Sequence, residues 1–358
     1  MSRWTEPQFS RGSVDRAGKV LVSDAATRGE RAEALHIINN WRSSHSYPLT
    51  ILKNTLNQRA KKIDSASISA QRLKRLSSIS LKLKRNPNMK LSQMQDIGGC
   101  RAVLENVDHI EALVQAYEEA LAKNPRGRPY RVEKYDYVIA PKPDGYRSVH
   151  YVYKYRSEAK HLKVYNDLRV EIQIRSRLQH AWATAVETVS TFTDQALKTG
   201  MGSEPWKRFF ALMGSAIALK EERTFVPGTP ANVEELIPEL QELYTNLQVE
   251  TVLMGMTEMV RMVGEESVEV ADAYLLVLDA KNKTLEIRSF DGTELTRASD
   301  EYLLVEQDNA SNPDVQAVLV SVDSLTTLQS AYPNYYLDTS QFVHEVNEVL
   351  RFRTLANS

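Results

Sequence analysis

Apolar residues between positions 31 and 63 recur at helical spacing. Leu35, Ile38 and Trp41 share one face, and Leu49, Leu52, Leu56, Ala60 and Ile63 share another. Tyr47-Pro48 divides the two stretches, because proline removes a backbone donor and restricts the residue before it. Residues 1–29 show little periodicity and read as a flexible lead-in. From residue 100 the period shortens. Strands are expected over 100–104, 131–139, about 147–155 and 168–175, with helices over 108–123, 177–189 and 205–223. That alternation predicts an α/β (α+β) fold, a mixed sheet with flanking helices and its reactive groups at strand ends.

Pro227-Gly228-Thr229-Pro230 is the best linker in the chain, so the expected units are 30–226 and 233–358, joined by 227–232. Residues 233–263 look helical, and Met254, Met256, Met259 and Met262 along them suit an adaptable core. Segments 273–279 and 284–290 flank the polar turn AKNK and read as a hairpin. A third strand over 316–322, a short helix and a final helix to about 352 complete a small α+β C-terminal domain.

Charge divides the same way. Residues 231–358 carry seven Lys/Arg and 23 Asp/Glu, a net of −16, which leaves 38 basic and 23 acidic residues in 1–230, a net of +15. Such a split implies a polyanionic partner for one half and attraction between the halves. Residues 53–90 concentrate it, with eleven Lys/Arg against the single acid Asp64. The one cysteine, Cys100, excludes an internal disulfide and a cysteine-rich zinc site. With no apolar leader and no membrane-length run, the expectation is a cytoplasmic protein with no membrane partner.

There is no GxxxxGK(S/T) loop, GxGxxG turn, GxSxG elbow or HExxH pair. Chemistry is concentrated instead in dispersed polar clusters over 72–187. In Arg72-x-Lys74-x3-Ser78-x3-Lys82-x2-Arg85, read as a helix, Lys74, Ser78, Lys82 and Arg85 share a face that suits triphosphate oxygens or plain solvation equally. Asp96 precedes Gly98-Gly99 and Arg101, where a carboxylate can hold Mg²⁺ or simply shape a turn. Lys134-Tyr135-Asp136-Tyr137 leads to Pro141-Lys142-Pro143-Asp144-Gly145-Tyr146-Arg147-Ser148-Val149-His150, a tight basic loop displaying an aromatic that can stack a base. Strand alternation puts Glu171, Gln173 and Arg175 on one face and Val170, Ile172 and Ile174 on the other, as in a site or an exposed strand.

Together these clusters closely resemble the RelA/SpoT synthetase domain of the small alarmone synthetase family across about residues 50–190. PKPDGYRSVH and VEIQIRS followed by Gln179-His180-Ala181-Trp182 carry the resemblance. It implies a nucleotidyltransferase-like sheet and transfer of the β,γ-pyrophosphate of ATP to a ribose 3′-hydroxyl. By the same resemblance, Arg72, Lys74, Lys82 and Arg101 would hold ATP, and Asp96 and Glu171 would bind Mg²⁺, with Glu171 aiding deprotonation. Tyr146 would stack the acceptor base beside Lys142, Arg147 and His150, with Gln173, Arg175 and His180 in support. No hydrolase pattern precedes residue 50, so the expected relatives are the single-domain synthetases.

Some of those make (p)ppGpp from GDP or GTP, and toxic members modify the 3′ end of tRNA. The +15 of residues 1–230 favours RNA. An acidic tail carrying Tyr332-Pro333-Asn334-Tyr335 is similar to the fused toxin–antitoxin synthetases of CapRel type, whose YxxY element restrains the enzyme until a phage protein relieves it. The expectation is thus a self-inhibited pyrophosphotransferase acting on tRNA. A (p)ppGpp synthetase with a regulatory tail, and an inactive nucleotide- or RNA-binding module, are the alternatives.

Overall fold

The computed structural model describes residues 4–123, 130–196, 203–257, 261–263, 271–310, 312, 314–322, 325–336 and 338–356. Helix α1 (Arg11–Val22) begins at Ser10, whose hydroxyl accepts from the Ser13 amide. A capping box between Thr27 and Glu30 opens α2 (Arg28–Ser44). The chain breaks at His45 before α3 (Ser46–Ile63). Pro48 is tolerated in the first turn of α3, where no intrahelical donor is lost, so the break falls just before the expected Tyr47-Pro48. The N-terminal segment is no flexible lead-in: Val14 and Ala17 of α1 share a buried cluster with Ile38, Trp41 and Leu83.

The next elements are β1 (Ile68–Leu73), α4 (Leu76–Arg85), β2 (Gly98–Leu104), α5 (Val107–Lys123), β3 (Tyr130–Asp136), β4 (Val149–Lys154), β5 (Arg169–Ser176), α6 (Arg177–Ala196) and α7 (Ser203–Lys220). Strand β2 runs parallel to β5, while β1 with β2, β3 with β4, and β4 with β5 are antiparallel. Strand β1 corrects the helical reading of 72–85. Arg72 ends a strand, Lys74 and Arg75 turn the chain, and only Leu76–Arg85 is helical. On one face, Cys100, Ala102, Val170, Ile172 and Ile174 pack against Leu52 and Leu56 of α3 and Ile110 and Leu113 of α5. Arg101, Glu171, Gln173 and Arg175 therefore point to the other face, toward α6.

In the acidic half, α8 (Val233–Asn246), α9 (Val249–Thr257) and β6 (Arg261–Val263) replace the single helix expected over 233–263. The helix is interrupted where Gln248 takes a positive φ of 49°. Met254 packs against the helical cluster beneath it, while Met259 lies outside the described residues. The expected hairpin is present as β7 (Ala273–Asp279) and β8 (Thr284–Phe290). After it come α10 (Leu295–Asp308), which periodicity had not revealed, β9 (Val315–Val322), α11 (Leu325–Ala331) and α12 (Ser340–Ala356).

The two halves share one nine-stranded mixed sheet, ordered β3-β4-β5-β2-β1-β9-β7-β8-β6. Ala70, Gln71 and Arg72 of β1 pair antiparallel with Val322, Ser321 and Val320 of β9. On the helical side, Phe342 and Val346 of α12 are buried with Trp206, Phe209 and Leu212 of α7. Opposite charges meet along this seam. Arg208 grips Glu239 with two bonds of 2.6 and 2.8 Å, and Lys220 Nζ lies 2.6 Å from Glu345.

The most buried of these pairs is Arg42 with Glu306. Arg42 Nη1 donates to Glu306 Oε2 at 2.7 Å, and the guanidinium lies 4.5 Å from the ring centroid of Tyr302. The other oxygen, Oε1, accepts the Leu76 amide at 2.6 Å and so caps the start of α4. Removing one partner of such a pair strands the other in low dielectric. Glu306→Ala is expected to cost about 3–5 kcal/mol, read as an earlier urea midpoint, and the apolar double replacement Arg42→Met with Glu306→Leu to recover most of it. A loss under about 1 kcal/mol in the single variant would show that the seam does not depend on this pair.

Candidate active site

The polar face of the sheet closes around a cavity of about 50 Å³ lined by Arg72, Lys74, Asp96, Arg101, Glu171 and Gln173, with Tyr332 from the acidic half completing its wall. Strand geometry explains the first six. Arg72, Arg101, Glu171 and Gln173 sit on adjacent strands, and the register sets Gly99 opposite both Arg72 and Glu171, and Arg101 opposite Gln173. Lys74 and Asp96 stand where β1 ends and β2 begins, held together by the bond from the Lys74 amide to the Ile97 carbonyl.

Asp96 is the electrostatic centre. Lys74 Nζ donates to its Oδ2 at 2.8 Å and Lys82 Nζ, from α4, to its Oδ1 at 3.0 Å. Burial alone would raise this carboxyl, but the two ammonium groups hold it below the usual carboxylate range. Glu171 follows the same logic. Burial pushes it up, yet the hydrogen bonds from His150 and Gln173 hold it low, against repulsion from Asp96. Both carboxylates line the one cavity.

A hydrogen-bonded chain runs from Glu171 to the loop that carries Tyr146. Arg175 Nη2 donates to the Tyr146 hydroxyl at 2.7 Å, so the hydroxyl donates in turn to His150 Nε2, also at 2.7 Å. The imidazole then carries its proton on Nδ1 and donates to Glu171 Oε1 at 3.0 Å. Gln173 Nε2 donates to the other oxygen of Glu171 at 2.7 Å, and Gln173 Oε1 accepts from Arg175 Nη2 at 2.8 Å. Lys142 Nζ lies 5.0 Å from the centroid of Tyr146. Gly145 makes this loop tight: its φ is +96°, and a Cβ there would stand 2.7 Å from the Phe210 carbonyl.

Of the expected residues, Arg147 is not with the others. Its buried guanidinium donates to the backbone carbonyls of Val138, at 3.0 Å, and Thr224, and burial lowers its pKa to about 10. It pins the loop to the end of α7 and faces no acceptor. His180 meets the tail: its Nε2 donates to the Ser330 carbonyl at 3.2 Å, and burial beside Arg101 and Arg175 keeps the ring well below its ordinary pKa. Arg101 donates to the Ala331 carbonyl, its guanidinium lies 5.4 Å from the centroid of Tyr332, and burial lowers its pKa to about 10.

Tyr332 and Tyr335 divide. The Tyr332 hydroxyl donates to the Gln71 carbonyl at 2.8 Å and its ring walls the cavity. Tyr335 is buried in the C-terminal core, its hydroxyl 3.5 Å from the Ala317 carbonyl, where burial raises its pKa against the opposing pull of Arg75 and Arg72. It does not line the cavity.

Glu187 of α6 escaped the sequence reading. Burial would raise its carboxyl, but Arg72, Arg101, Arg75 and Arg175 surround it and hold it low. The available signal was spacing, since His180, Thr184 and Glu187 recur on one face of α6.

Among the described residues no three His, Cys, Asp or Glu side chains gather as a metal centre. Two carboxylates at one cavity still fit Mg²⁺, which binds through one or two carboxylates together with substrate phosphates. The neighbouring orphan donors, Nε of Arg101 with Nε and Nη1 of Arg175, suit a ligand rich in acceptor oxygens. Among the described residues no helix is long and apolar enough to cross a membrane.

Residues 71–195 match the family model described as "Region found in RelA / SpoT proteins". No curated protein matches the chain. Among solved structures it is similar to small alarmone synthetase 1 from Bacillus subtilis bound to its product pppGpp, at 24% identity over 56% of this chain and 93% of that one, with a TM-score of 0.38. Small alarmone synthetase 2 from Bacillus subtilis is similar at 19% identity over 51% and 93%, with a TM-score of 0.41. A GTP pyrophosphokinase family protein from Streptococcus pneumoniae follows at 22% over 58% and 92%, with a TM-score of 0.38.

Depressed carboxylates make stability depend on pH. A carboxyl whose folded pKa lies below its unfolded value stabilises the fold above that unfolded value, and the contribution is lost as pH falls through the folded one. Asp96→Asn is therefore expected to be destabilising near neutrality, with the gap to wild type closing as pH falls below about 3.9. Urea midpoints at a series of pH values measure this, and a gap that stays constant into acid would contradict the charge role of Asp96.

Proposed function

With a RelA/SpoT-type pyrophosphotransferase region at residues 71–195 as the premise, we propose that the chain transfers pyrophosphate from ATP to the 3′ end of tRNA and is held inactive by its own C-terminal half. In this reading residues 30–226 are the synthetase unit, 227–232 the linker and 233–358 the restraining unit. The observation that carries it is Tyr332, a residue of the acidic half that walls the cavity of Asp96 and Glu171.

Restraint follows from what the tail occupies. A cavity of about 50 Å³ is far below the roughly 300–1,000 Å³ of ordinary ligand pockets. Arg101, which would face adenine, is engaged by the Ala331 carbonyl and the Tyr332 ring. Because the tail is part of the same chain, its effective concentration is high and a few contacts suffice. A protein trigger, of phage origin by the CapRel-type resemblance, would act by lifting residues 330–335.

Once the cavity is open, Arg72, Lys74, Lys82 and Arg101 would bind the polyphosphate and adenine of ATP, and Tyr146 would stack the acceptor base beside Lys142 and His150. Glu171 takes the proton of the 3′-hydroxyl, oriented for that by His150 and Gln173. The 3′-oxygen bonds to the β-phosphorus as the bond from that phosphorus to the α–β bridging oxygen breaks, and AMP leaves. Mg²⁺ held by Asp96 and Glu171 would supply charge neutralisation on the transferred group. Support for RNA as the acceptor comes from the +15 of residues 1–230, since many phosphates need a broad basic surface.

The test uses the whole chain, because cutting at 230 would strip β9 from β1 and uncover the cluster that Phe342 and Val346 share with α7. Wild type, Tyr332→Ala, and Tyr332→Ala with Asp96→Asn receive ATP labelled on the γ-phosphate with tRNA, GDP or GTP. The expected outcome is label in tRNA at least about tenfold higher with Tyr332→Ala than with wild type, corresponding to about 1.4 kcal/mol, and none with the double variant. Label in GDP or GTP instead would make the protein a (p)ppGpp synthetase, and equal labelling by wild type and Tyr332→Ala would refute the restraint.

A further inference from the structure

We infer that an aromatic edge beside the acceptor loop is a stacking track for the nucleotides preceding the acceptor residue, so that the site takes a single-stranded RNA 3′ end rather than a mononucleotide. This rests on the reading of RNA as the acceptor. The segment Lys134-Tyr135-Asp136-Tyr137 has no part in the transfer described above, yet the fold sets its two tyrosines in line with Tyr146.

Among the described residues strand β3 is the outer strand of the sheet, paired only with β4. Tyr135 and Tyr137 are two residues apart and share a face, with ring centroids 6.0 Å apart and planes within 1° of parallel. Tyr137 then meets the acceptor site, 6.0 Å from Tyr146 and 5.3 Å from His150, edge to face in both cases. Lys142 Nζ lies 4.6 Å from the centroid of Tyr137 and 5.0 Å from that of Tyr146, one cation serving both rings. The series Tyr146, Tyr137, Tyr135 thus leads from the Glu171 side of the cavity to solvent.

Packing does not explain the outer ring. Tyr135 is 39% exposed, and it is held in place by its hydroxyl, which donates to Glu133, whose other oxygen accepts from Gln95 at 2.9 Å. A single exposed aromatic is ordinary. A parallel pair continuous with a base-stacking residue and crossed by an ammonium is the arrangement that binds successive bases of a single strand. A mononucleotide needs only Tyr146. Pairing of the β3 edge with a second chain is opposed by the bulge between Arg131 and Glu133 and by exposed Lys134.

Equilibrium binding of 5′-labelled RNAs ending in CCA, cut to one, two, three and six nucleotides, tests this with the whole chain and with Tyr332→Ala. GDP and GTP are measured in parallel. Affinity is expected to rise about 5- to 100-fold from one nucleotide to three, the increment of added stacking. Most of that rise should survive added salt, since stacking releases no counterions. Tyr135→Phe keeps the ring and should keep the rise; Tyr135→Ala and Tyr135→Leu should lose its last increment, from two nucleotides to three. An undiminished rise in Tyr135→Ala, or a Tyr135→Phe variant as poor as Tyr135→Ala, would overturn the track while leaving RNA as the acceptor. Binding of GDP or GTP with no RNA binding at any length would overturn both.

Discussion

Antiparallel pairing of Ala70, Gln71 and Arg72 with Val322, Ser321 and Val320 gives β1 a neighbour on each side. Without β9, this strand would present a row of unpaired amides and carbonyls at the edge of the sheet. Once β9 is in place, the chain that leaves it must return across the polar face, and α11 with the turn after it does so. Gln71 contributes twice: its backbone is part of the ladder, and its carbonyl accepts the Tyr332 hydroxyl. The pairing that closes the sheet edge is thus the same contact that brings an acidic-half residue to the cavity of Asp96 and Glu171.

The electrostatics of the seam agree with that arrangement. Arg42, Arg208 and Lys220 of the basic half meet Glu306, Glu239 and Glu345 of the acidic half. The exposed members of such pairs contribute little individually. Arg42 and Glu306 differ because both are buried and Glu306 also caps α4, the helix that presents Lys82 to Asp96. The position of Lys82 and the attachment of the acidic half are linked through one carboxylate.

The carboxylates and cations around the cavity face counterparts from the chain itself. Asp96 has Lys74 and Lys82, Glu171 has His150 and Gln173, and the arginines have Glu187 and the carbonyls of the tail. In the proposed reading, a substrate would exchange these contacts for its own, so recognition would be a competition between ligand and protein groups of like chemistry. Polyphosphate oxygens would replace the carboxylate that Lys74 and Lys82 now hold, and this would free Asp96 for a cation.

Local pattern was enough for whatever depends on one element. The alternation in Val170–Arg175 assigned Glu171, Gln173 and Arg175 to a polar face, the loop Pro-Lys-Pro-Asp-Gly signalled a tight turn, and segments 273–279 and 284–290 paired as a hairpin. The family motifs in 71–195 were legible for the same reason, being contiguous stretches under one local constraint. What depended on distant partners was not legible. Arg147 reads as one more loop cation until Val138 and Thr224 are seen to hold it, and β1 reads as helix until β2 and β9 lie beside it. Tyr332 and Tyr335 are three residues apart in one motif, yet one walls the cavity and the other fills a core. A sequence records the periodicity of each element, but burial and hydrogen-bond partners 150 and 261 residues apart exist only when the sheet has closed.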